Sequence, residues 1–446
     1  MVLSALLALS LSAKPSPAPR YVFLFVGDGM GIAQVSLAEA YRASIQGDSV
    51  GFAPTRFSRF PIVSLATTHC ATRRITESAA AATALATGSK AGEGGLGLDV
   101  EGRIQQNLTE LAAEAGMATG VATTVSVDHA TPAGFYAHVA NRGDFGQIRR
   151  QAAVSRLDFL GGAPFLAPDS VEPAPKTGWD TVRGRSALAA RTTPHVLAIP
   201  SGKARPSLPW ALDRSPDDTS LGLADLVREG ARILEKSSPK GFFLMAEAGK
   251  IDWACHRNDA RTMVGEVWDL DAAVGEAMSF AERHPGQVLI VVVADHETGG
   301  LSLGSGPTGY WTDFGLLRHQ TRSQEAMEDS LALILAGQGW SEASIFSRLA
   351  EWTGLGRAKG LALGSADSAS LREALGRSRT RTKAAALAST ATRLLSAKAG
   401  VGWTSGAHTA SPVPVYAWGS GSEAFQGRLD NTRIQQILSE RVAPRK

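Results

Sequence analysis

The sequence has few cysteines and no marked excess of charge of either sign. Its 446 residues include only two cysteines, Cys70 and Cys255, so at most one disulfide can form and disulfides do not hold this fold together. Lys and Arg number 45 against 42 Asp and Glu, a balance that excludes the basic footprint of a nucleic-acid-binding protein. With 44% hydrophobic and 20% charged residues, the composition is that of a globular protein and excludes a disordered or fibrous one.

Long hydrophobic segments are also absent, apart from a short apolar stretch at the N-terminus. Outside that stretch, the most hydrophobic run is 288–294, which has the length of a strand and is far below the roughly 18 residues of a membrane-spanning helix. Residues 2–12 are apolar, end in the small-x-small pattern Ser-Leu-Ser and precede a proline-rich stretch, although a basic opening is missing. We therefore expect residues 1–20 to be a signal peptide and linker of a secreted or periplasmic protein with no membrane span.

Hydrophobic runs of strand length alternate with helical patterns along most of the chain. The strand-like runs are 21–26, 120–125, 195–199, 241–247, 287–294 and 413–418. The helical patterns are 78–87, 107–115, 219–236, 259–283 and 431–440, and another begins near Ile32. Continuous apolar strands separated by helices are typical of parallel sheets. We therefore predict an α/β fold with a largely parallel central sheet and helices on both of its faces.

Residues 302–400 interrupt this alternation. They begin rich in glycine and serine and then show helical patterns at 323–335, 371–375 and 382–397, with few strand signals. We expect a mainly helical insertion or cap within the domain, and the sequence does not indicate its role.

Acidic residues follow or close three of the predicted strands, and histidines accompany two of them. The residues are Asp28, Glu247 with Asp252 and His256 beyond it, Asp295 with His296, and His408 before the last strand. Carboxyl ends of parallel strands meet at one edge of a sheet, and carboxylates with imidazoles are the ligands of zinc and related ions. Each residue also has a structural explanation as a turn former, a helix pair or a cap. Their recurrence at one topological position favours a metal site.

Two further residues have both a structural and a functional explanation. Ser78 opens the small-residue pattern 78–87, where serine is a common N-cap. A hydroxyl there could instead be a nucleophile beside metal ions, with the helix N–H groups favouring an anion such as phosphate. From this segment alone the cap is favoured. Arg142 fits both a surface helix and a bidentate phosphate ligand, and the pattern leaves both open.

Six blocks of the sequence, taken in order, resemble the alkaline phosphatase family. They are VGDGMG, ITESAAAATALATG, DHATPAGFYAHVANR, MAEAGKIDWACH, ADHETGGL and GAHTASPVPVYAWG. The resemblance extends over about residues 21–441 and implies an alkaline-phosphatase-like catalytic domain, with 302–400 as an insertion within it.

The resemblance implies a site with two zinc ions and one magnesium ion. The implied ligands are Asp252, His256 and His408 for one zinc, Asp28, Asp295 and His296 for the other, and Asp28, Thr131 and Glu247 for magnesium. Ser78 would be the nucleophile and Arg142 would bind the phosphate oxygens. One zinc would deprotonate Ser78, giving a phosphoserine intermediate, and the other would stabilise the leaving alkoxide and then supply hydroxide.

Three residues depart from the usual pattern of that family. Glu77 precedes Ser78 where the family usually has aspartate, which bears on the positioning of Arg142. His129 and Trp253 stand where some members have aspartate and lysine, and we expect both to lie at the substrate site. This pairing resembles a subset of bacterial members and bears on phosphate affinity and on the third metal. Cys255 is expected to be a buried thiol and no ligand.

The function implied is hydrolysis of phosphate monoesters, releasing phosphate and an alcohol, by an enzyme that could be a homodimer. A serine esterase is one alternative, because 300–304 matches G-x-S-x-G, but no helix pattern follows it. A dinucleotide-binding enzyme is another, because 92–97 fits G-x-G-x-x-G, but no strand precedes it. A metal- or phosphate-binding protein without activity, and a phosphodiesterase or sulfatase, remain as further alternatives.

Overall fold

A computed structural model describes residues 18–166, 179–215 and 220–443. The signal peptide expected over 1–20 therefore lies, up to residue 17, outside the described residues. No helix in these three ranges is long and apolar enough to cross a membrane.

Strands and helices alternate through the described chain. The strands are β1 (Tyr21–Gly27), β2 (Ile62–Thr67), β3 (Ala118–Ser126), β4 (Phe159–Ala163), β5 (Asp180–Arg183), β6 (Val196–Ile199), β7 (Phe242–Ala248), β8 (Val288–Val293), β9 (Glu297–Thr298), β10 (Leu301–Leu303), β11 (Val401–Trp403), β12 (His408–Thr409), β13 (Val413–Gly419) and β14 (Arg428–Asp430). The helices are α1 (Ile32–Ile45), α2 (Ser78–Thr87), α3 (Leu108–Glu114), α4 (Ala130–Ala133), α5 (Phe145–Val154), α6 (Arg185–Ala190), α7 (Leu223–Ser237), α8 (Lys250–His256), α9 (Ala260–Arg283), α10 (Gln324–Ala336), α11 (Glu342–Thr353), α12 (Ser365–Leu375), α13 (Thr380–Ala399) and α14 (Asn431–Val442).

Ten strands form one sheet in the order β14-β2-β13-β8-β1-β7-β3-β4-β6-β5. All neighbours in it are parallel except β13, which runs antiparallel to both β8 and β2. The predicted largely parallel α/β sheet is therefore confirmed, and each of the six predicted strands corresponds to one of its members.

The central strands are buried because their sequences are apolar throughout. Every residue of β1, β7 and β8 is buried. β7 is packed against α7 and α9 and also against α3 and α4, as expected of a strand covered on both faces. This core places the carboxyl ends of β8, β1, β7 and β3 side by side.

The segment 302–400 contains α10 to α13. It starts and ends on β10 and β11, which pair antiparallel, so the chain leaves and rejoins the domain at adjacent points. Helices α10, α11 and α12 pack on α13, and a 3-10 helix, Phe314–His319, connects this group to α1 and α9. The segment therefore packs on the helical layer of the domain.

Candidate metal centre and nucleophile

The residues predicted at the strand ends lie together in the structure. Asp28 follows β1, Glu247 is the penultimate residue of β7, and Asp295 follows β8. These three strands are neighbours in the sheet and parallel to one another. All three side chains are fully buried, so a cluster of acidic groups lies at the carboxyl edge of the sheet.

The first predicted ligand set is assembled by one helix and one strand pair. Asp252 and His256 lie one turn apart on α8, with His256 Nε2 at 3.2 Å from Asp252 Oδ2. His408 reaches them because β12 pairs with β9. Its Nε2 lies 3.5 Å from Asp252 Oδ1 and 3.1 Å from His256 Nε2. The carboxylate and the two imidazoles therefore converge on one point.

The Nδ1 atoms of three histidines face hydrogen-bond acceptors on the protein. His256 Nδ1 donates to Gly406 O at 2.8 Å and His408 Nδ1 donates to Thr76 O at 2.9 Å. Thr298 Oγ1 donates a hydrogen bond to Asp252 Oδ1 at 2.5 Å. Its oxygen therefore accepts a hydrogen bond from His296 Nδ1 at 3.2 Å. With hydrogen on each Nδ1, the Nε2 atoms of the three rings face the site. Hydrogen bonds of this kind, made by the ring nitrogen that does not bind the metal, orient the histidine ligands of metals.

The second predicted set lies beside Ser78. Asp28, Asp295 and His296 each offer a ligand atom within 4.8 Å of the others. Ser78 Oγ lies 3.3 Å from His296 Nε2, and the Ser78 side chain is buried. A hydroxyl is therefore held beside a set of two carboxylates and one imidazole.

The third predicted set, Asp28, Thr131 and Glu247, has an imidazole beside it. Asp28 and Glu247 lie together as expected, and the third group within 4.8 Å is the imidazole of His129. The predicted Thr131 lies two residues further on, within α4, where it is buried and its side chain acts to lower the pKa of Glu247. Glu247 Oε2 accepts a hydrogen bond from Thr123. An imidazole nitrogen is thus available in addition to the expected oxygen ligands.

The electrostatics of the cluster favour bound cations. Burial raises the pKa of Asp28 and of Asp295, with a further rise from neighbouring carboxylates, and burial raises the pKa of Glu247 to about 7. Burial alone would also raise the pKa of Asp252, but the nearby histidines lower it. Both carboxylate oxygens of Asp28 and Oδ2 of Asp295 lack a hydrogen-bond partner among the described residues. Buried carboxylates of this kind require a proton or a metal ion, and the donors suit zinc and magnesium.

The capping role favoured for Ser78 from its segment is wrong, because Glu77 is the N-cap of α2. The Glu77 carboxylate accepts hydrogen bonds from the backbone N–H groups of Ala79 and Ala80, both at 2.8 Å. The hydroxyl of Ser78, the first helical residue, is thereby left free for the site. The same two N–H groups are not available to phosphate.

Arg142 lies outside any helix, in the turn before α5. Its Nη1 donates to Glu77 Oε2 at 2.8 Å, and its Nη2 lies 3.3 Å from His129 Nε2. The His129 ring meets Trp253 edge-on, with ring centroids 5.9 Å apart. Burial, and then the charge of Arg142, lower the pKa of His129 to about 4. A neutral imidazole therefore separates the guanidinium from the indole.

Other predicted features lie away from this chemistry. Cys255 is buried, and its thiol contacts Gln34 Nε2 at 3.9 Å. Ser302 of the G-x-S-x-G match lies in β10, where its hydroxyl donates to Gly304 O at 2.9 Å, and no strand-to-helix turn is present. The glycine-rich segment 92–97 supports Glu77 through Gly94 N, at 3.0 Å.

The sequence reasoning missed the groups that orient the ligands. Thr298, which bridges Asp252 and His296, lies two residues after His296 and could have been noticed as a polar residue at a strand end. The carbonyls of Thr76 and Gly406 have no sequence signal, because every residue carries one.

The fold and this site define a class: metal-binding hydrolases of α/β fold with a hydroxyl beside the ligands. The family model of alkaline phosphatase matches residues 19–158 and 171–443. Alkaline phosphatase 3 of Bacillus subtilis is 30% identical over 427 residues, 93% of this chain and 87% of that protein. Alkaline phosphatase of Escherichia coli K12 is 28% identical over 345 residues, 64% of this chain and 71% of that protein.

Solved structures agree with the sequence relatives. The cold-active alkaline phosphatase of the psychrophile Shewanella sp. superposes with a TM-score of 0.82 at 29% identity, covering 95% of this chain and all of that one. The Thermus thermophilus alkaline phosphatase gives a TM-score of 0.78 at 26% identity, covering 100% of this chain and 96% of that one. The chain belongs to the alkaline phosphatase family, and it is an enzyme that hydrolyses phosphate monoesters.

Proposed function

We propose that hydrolysis proceeds through a phosphoserine intermediate on Ser78, with metal ions held by the three ligand sets around it. The observation that carries the proposal is the position of Ser78 Oγ. It is buried and lies 3.3 Å from His296 Nε2. It does not cap the helix, because Glu77 is the N-cap. A serine needed only for structure would use its hydroxyl in the helix terminus.

In the proposed reaction, Ser78 and Arg142 have separate roles. Ser78 Oγ, once deprotonated, forms a bond to phosphorus while the bond to the alcohol oxygen breaks, and water later displaces Ser78 to release phosphate. Arg142, held at Nη1 by Glu77, presents N–H donors to the phosphate oxygens. Metal ions, when bound, supply positive charge that lowers the pKa of oxygen nucleophiles and stabilises the transferring phosphoryl group.

Two of the ligand sets combine carboxylate and imidazole, which suits zinc. They are Asp252 with His256 and His408, and Asp28 with Asp295 and His296. For the third set, Asp28 with Thr131 and Glu247 suits magnesium because all its donors are oxygens. The alternative is Asp28 with His129 and Glu247, which suits a transition ion better because it includes nitrogen. Metal analysis of the wild type and of His129→Ala distinguishes the two.

The remaining expectations concern the location of the enzyme and its assembly. We propose that the chain is exported, on the basis of the apolar run 2–12, and that it forms a homodimer. N-terminal sequencing of the mature protein tests the first, and analytical ultracentrifugation tests the second.

The decisive experiment is hydrolysis of p-nitrophenyl phosphate at pH 7 to 10 by protein stripped of metal and then given zinc and magnesium. We expect activity to disappear on chelation and to return with the ions. Ser78→Ala should lower kcat by at least about a thousandfold while leaving metal content unchanged. Trapping with radiolabelled substrate should label the wild type on serine and leave Ser78→Ala unlabelled.

Ser302→Ala is the matched control, because Ser302 belongs to the competing G-x-S-x-G match and is exposed in β10. It should retain full activity. Loss of activity in Ser302→Ala with activity retained in Ser78→Ala would contradict the proposal and favour a serine esterase. Faster turnover of bis-p-nitrophenyl phosphate or p-nitrophenyl sulfate would favour a diesterase or sulfatase.

A further inference from the structure

Asn258 adopts a backbone conformation that few residue types tolerate. Its φ is 53°, and in the described chain only His195, with φ 58°, shares a positive φ among residues other than glycine. Asparagine is one of the side chains that accept this left-handed region. Asn258 lies one residue beyond Arg257, the C-cap of α8, and its backbone N–H donates to Cys255 O at 2.9 Å.

The side chain of Asn258 joins two segments that are distant in sequence. Its Nδ2 donates to Cys255 O at 3.0 Å, at the end of α8, and to Ser405 O at 2.9 Å. Ser405 belongs to the loop 404–407, which leads directly into His408. One amide group therefore connects the helix that ends with His256 to the loop that precedes His408.

The loop 404–407 has fixed attachments on both sides. On one side it pairs with Gly299, through Ser405 N to Gly299 O at 3.1 Å and Gly299 N to Ala407 O at 2.9 Å. On the other side it meets α8 through two hydrogen bonds: His256 Nδ1 to Gly406 O at 2.8 Å and Asn258 Nδ2 to Ser405 O. Of these two, only the bond from Asn258 does not involve a proposed metal ligand.

Closing the helix does not require this side chain. The backbone N–H of Asn258 already bonds to Cys255 O, and a glycine would adopt the same φ. Asp259, the next residue, caps α9 and binds Gln320 of the insertion segment, with Gln320 Nε2 at 2.8 Å. The amide of Asn258 is therefore not needed to terminate the helix, and its bond to Ser405 O links the helix end to the loop.

We propose that Asn258 is a positioning residue for the metal set of Asp252, His256 and His408. By tying the end of α8 to the loop 404–407, it holds the Nε2 atoms of the two histidines 3.1 Å apart and facing each other. The inference rests on the proposed assignment of these three residues to one metal. Contacts that orient ligands in this way change metal affinity by about ten- to a hundredfold when removed.

The test compares two substitutions at Asn258 in the full chain. Asn258→Gly keeps the left-handed backbone and removes the amide, and Asn258→Asp keeps the size but places an oxygen against Ser405 O. Zinc affinity of the metal-stripped protein is measured by competition with a chelating indicator, and the Co²⁺ absorption spectrum reports the geometry of the ligands. We expect both variants to bind one metal equivalent about ten- to a hundredfold more weakly, with an altered Co²⁺ spectrum and with kcat restored at saturating zinc.

His195→Gly is the matched control. His195 also has a positive φ but lies just before β6. It is therefore at the amino end of that strand, at the opposite edge of the sheet from the proposed ligands. It should keep wild-type zinc affinity and Co²⁺ spectrum. His256→Ala tests the underlying assignment, because removing a ligand should abolish the tight binding of one equivalent.

The outcomes separate the inference from the proposed function. Wild-type zinc affinity in both Asn258 variants, with one equivalent lost in His256→Ala, would overturn the role of Asn258 and leave the ligand assignment intact. Full metal binding in His256→Ala would overturn the assignment itself. An equal loss of affinity in His195→Gly would show a general effect of placing glycine at a left-handed position and would also overturn the role of Asn258.

Discussion

At the scale of single residues, Glu77 connects the helix of the proposed nucleophile to the proposed phosphate ligand. One oxygen accepts from Ala80 N and Gly94 N, and the other accepts from Ala79 N and from Arg142 Nη1. Burial would raise the pKa of Glu77, but these hydrogen bonds and the charge of Arg142 lower it. The longer glutamate therefore still orients Arg142, although the family usually has aspartate here.

Glu77→Gln should weaken phosphate binding more than it slows turnover. The neutral amide no longer provides a charge for Arg142, so the guanidinium loses its orientation. Charge-assisted hydrogen bonds contribute about 1.5–3 kcal/mol, so we expect the inhibition constant of inorganic phosphate to rise by about tenfold or more. Steady-state kinetics with phosphate as competitive inhibitor measure this.

Glu93→Gln is the control for Glu77→Gln. Glu93 pairs with Arg73 at 2.9 Å, but both side chains are more than half exposed, and such pairs contribute little. Its phosphate inhibition constant should equal that of the wild type. Equal constants for Glu77→Gln and the wild type would mean that Arg142 does not depend on Glu77.

At the scale of secondary-structure elements, α7 shows how a helix terminus is stabilised away from the site. Gly222 is the N-cap, and Asp225, three residues later, accepts from its backbone N–H at 3.1 Å. Asp225 also accepts from Arg185 Nη2 at 2.7 Å and Arg228 Nη2 at 2.8 Å. This buried carboxylate connects α6 to the start of α7, which packs against α9 and β3.

The contribution of Asp225 to stability should depend on pH. Burial would raise its pKa, but the hydrogen bonds from Arg185, Gly222 and Arg228 lower it below its ordinary 3.8. The folded state therefore holds its proton less readily than the unfolded state, and the stabilisation is present above the ordinary pKa and lost as pH falls through the lowered one. Asp225→Asn should cost about 2 kcal/mol near pH 7, with a difference from wild type that narrows below about pH 4.

Urea unfolding of both proteins from pH 7 to pH 3 measures that difference. Asp329→Asn serves as the control, because Asp329 is exposed and lies 3.7 Å from Arg381; its unfolding free energy should stay within about 0.5 kcal/mol of the wild type. A difference for Asp225→Asn that grows as pH falls would contradict the assigned direction of the pKa.

At the scale of the whole molecule, the fold concentrates negative charge at one edge of its sheet. Asp28, Glu247, Asp252 and Asp295 are all buried there, although the chain as a whole carries a net charge of only +3. Buried carboxylates so close together repel one another. We therefore expect bound cations to stabilise the folded state.

Metal removal should lower the melting temperature of the whole domain. In chelated protein the four carboxyl groups repel one another or take up protons, and we expect added zinc and magnesium to offset this cost. Because ions bind the folded state, stability should rise by about 1.4 kcal/mol for each tenfold excess of ion over its dissociation constant. Calorimetry at increasing free zinc measures the shift.

Sodium chloride at matched ionic strength is the control for metal removal, since screening acts weakly on buried charges. It should not restore the melting temperature of the chelated protein. A melting temperature independent of zinc would mean that the cluster does not bind metal in the folded state.

Much of the fold was predictable, and the omissions have local causes. Strands β1, β7 and β8 are continuous apolar runs and were predicted closely. Strand β2 was missed because its buried residues are the small Ser64 and Ala66, whereas the larger Val63 and Leu65 are exposed. Strand β4 was missed because it is short and contains two glycines. Helix α11 was also missed, although Ser341 and Gly354 cap it and could have indicated it.

The sequence by itself determined the family, the α/β class and the strand-end residues that meet at the site, because these depend on local patterns and on the rule that parallel strands end at one edge. Only the tertiary structure decided that Glu77 caps α2, that His129 reaches Asp28 and Glu247, and which nitrogen of each histidine faces the site. These facts depend on contacts between distant segments, such as His408 with Thr76, 332 residues apart. A carbonyl or a hydroxyl has no sequence signal for its partner, so only the folded path of the chain selects it.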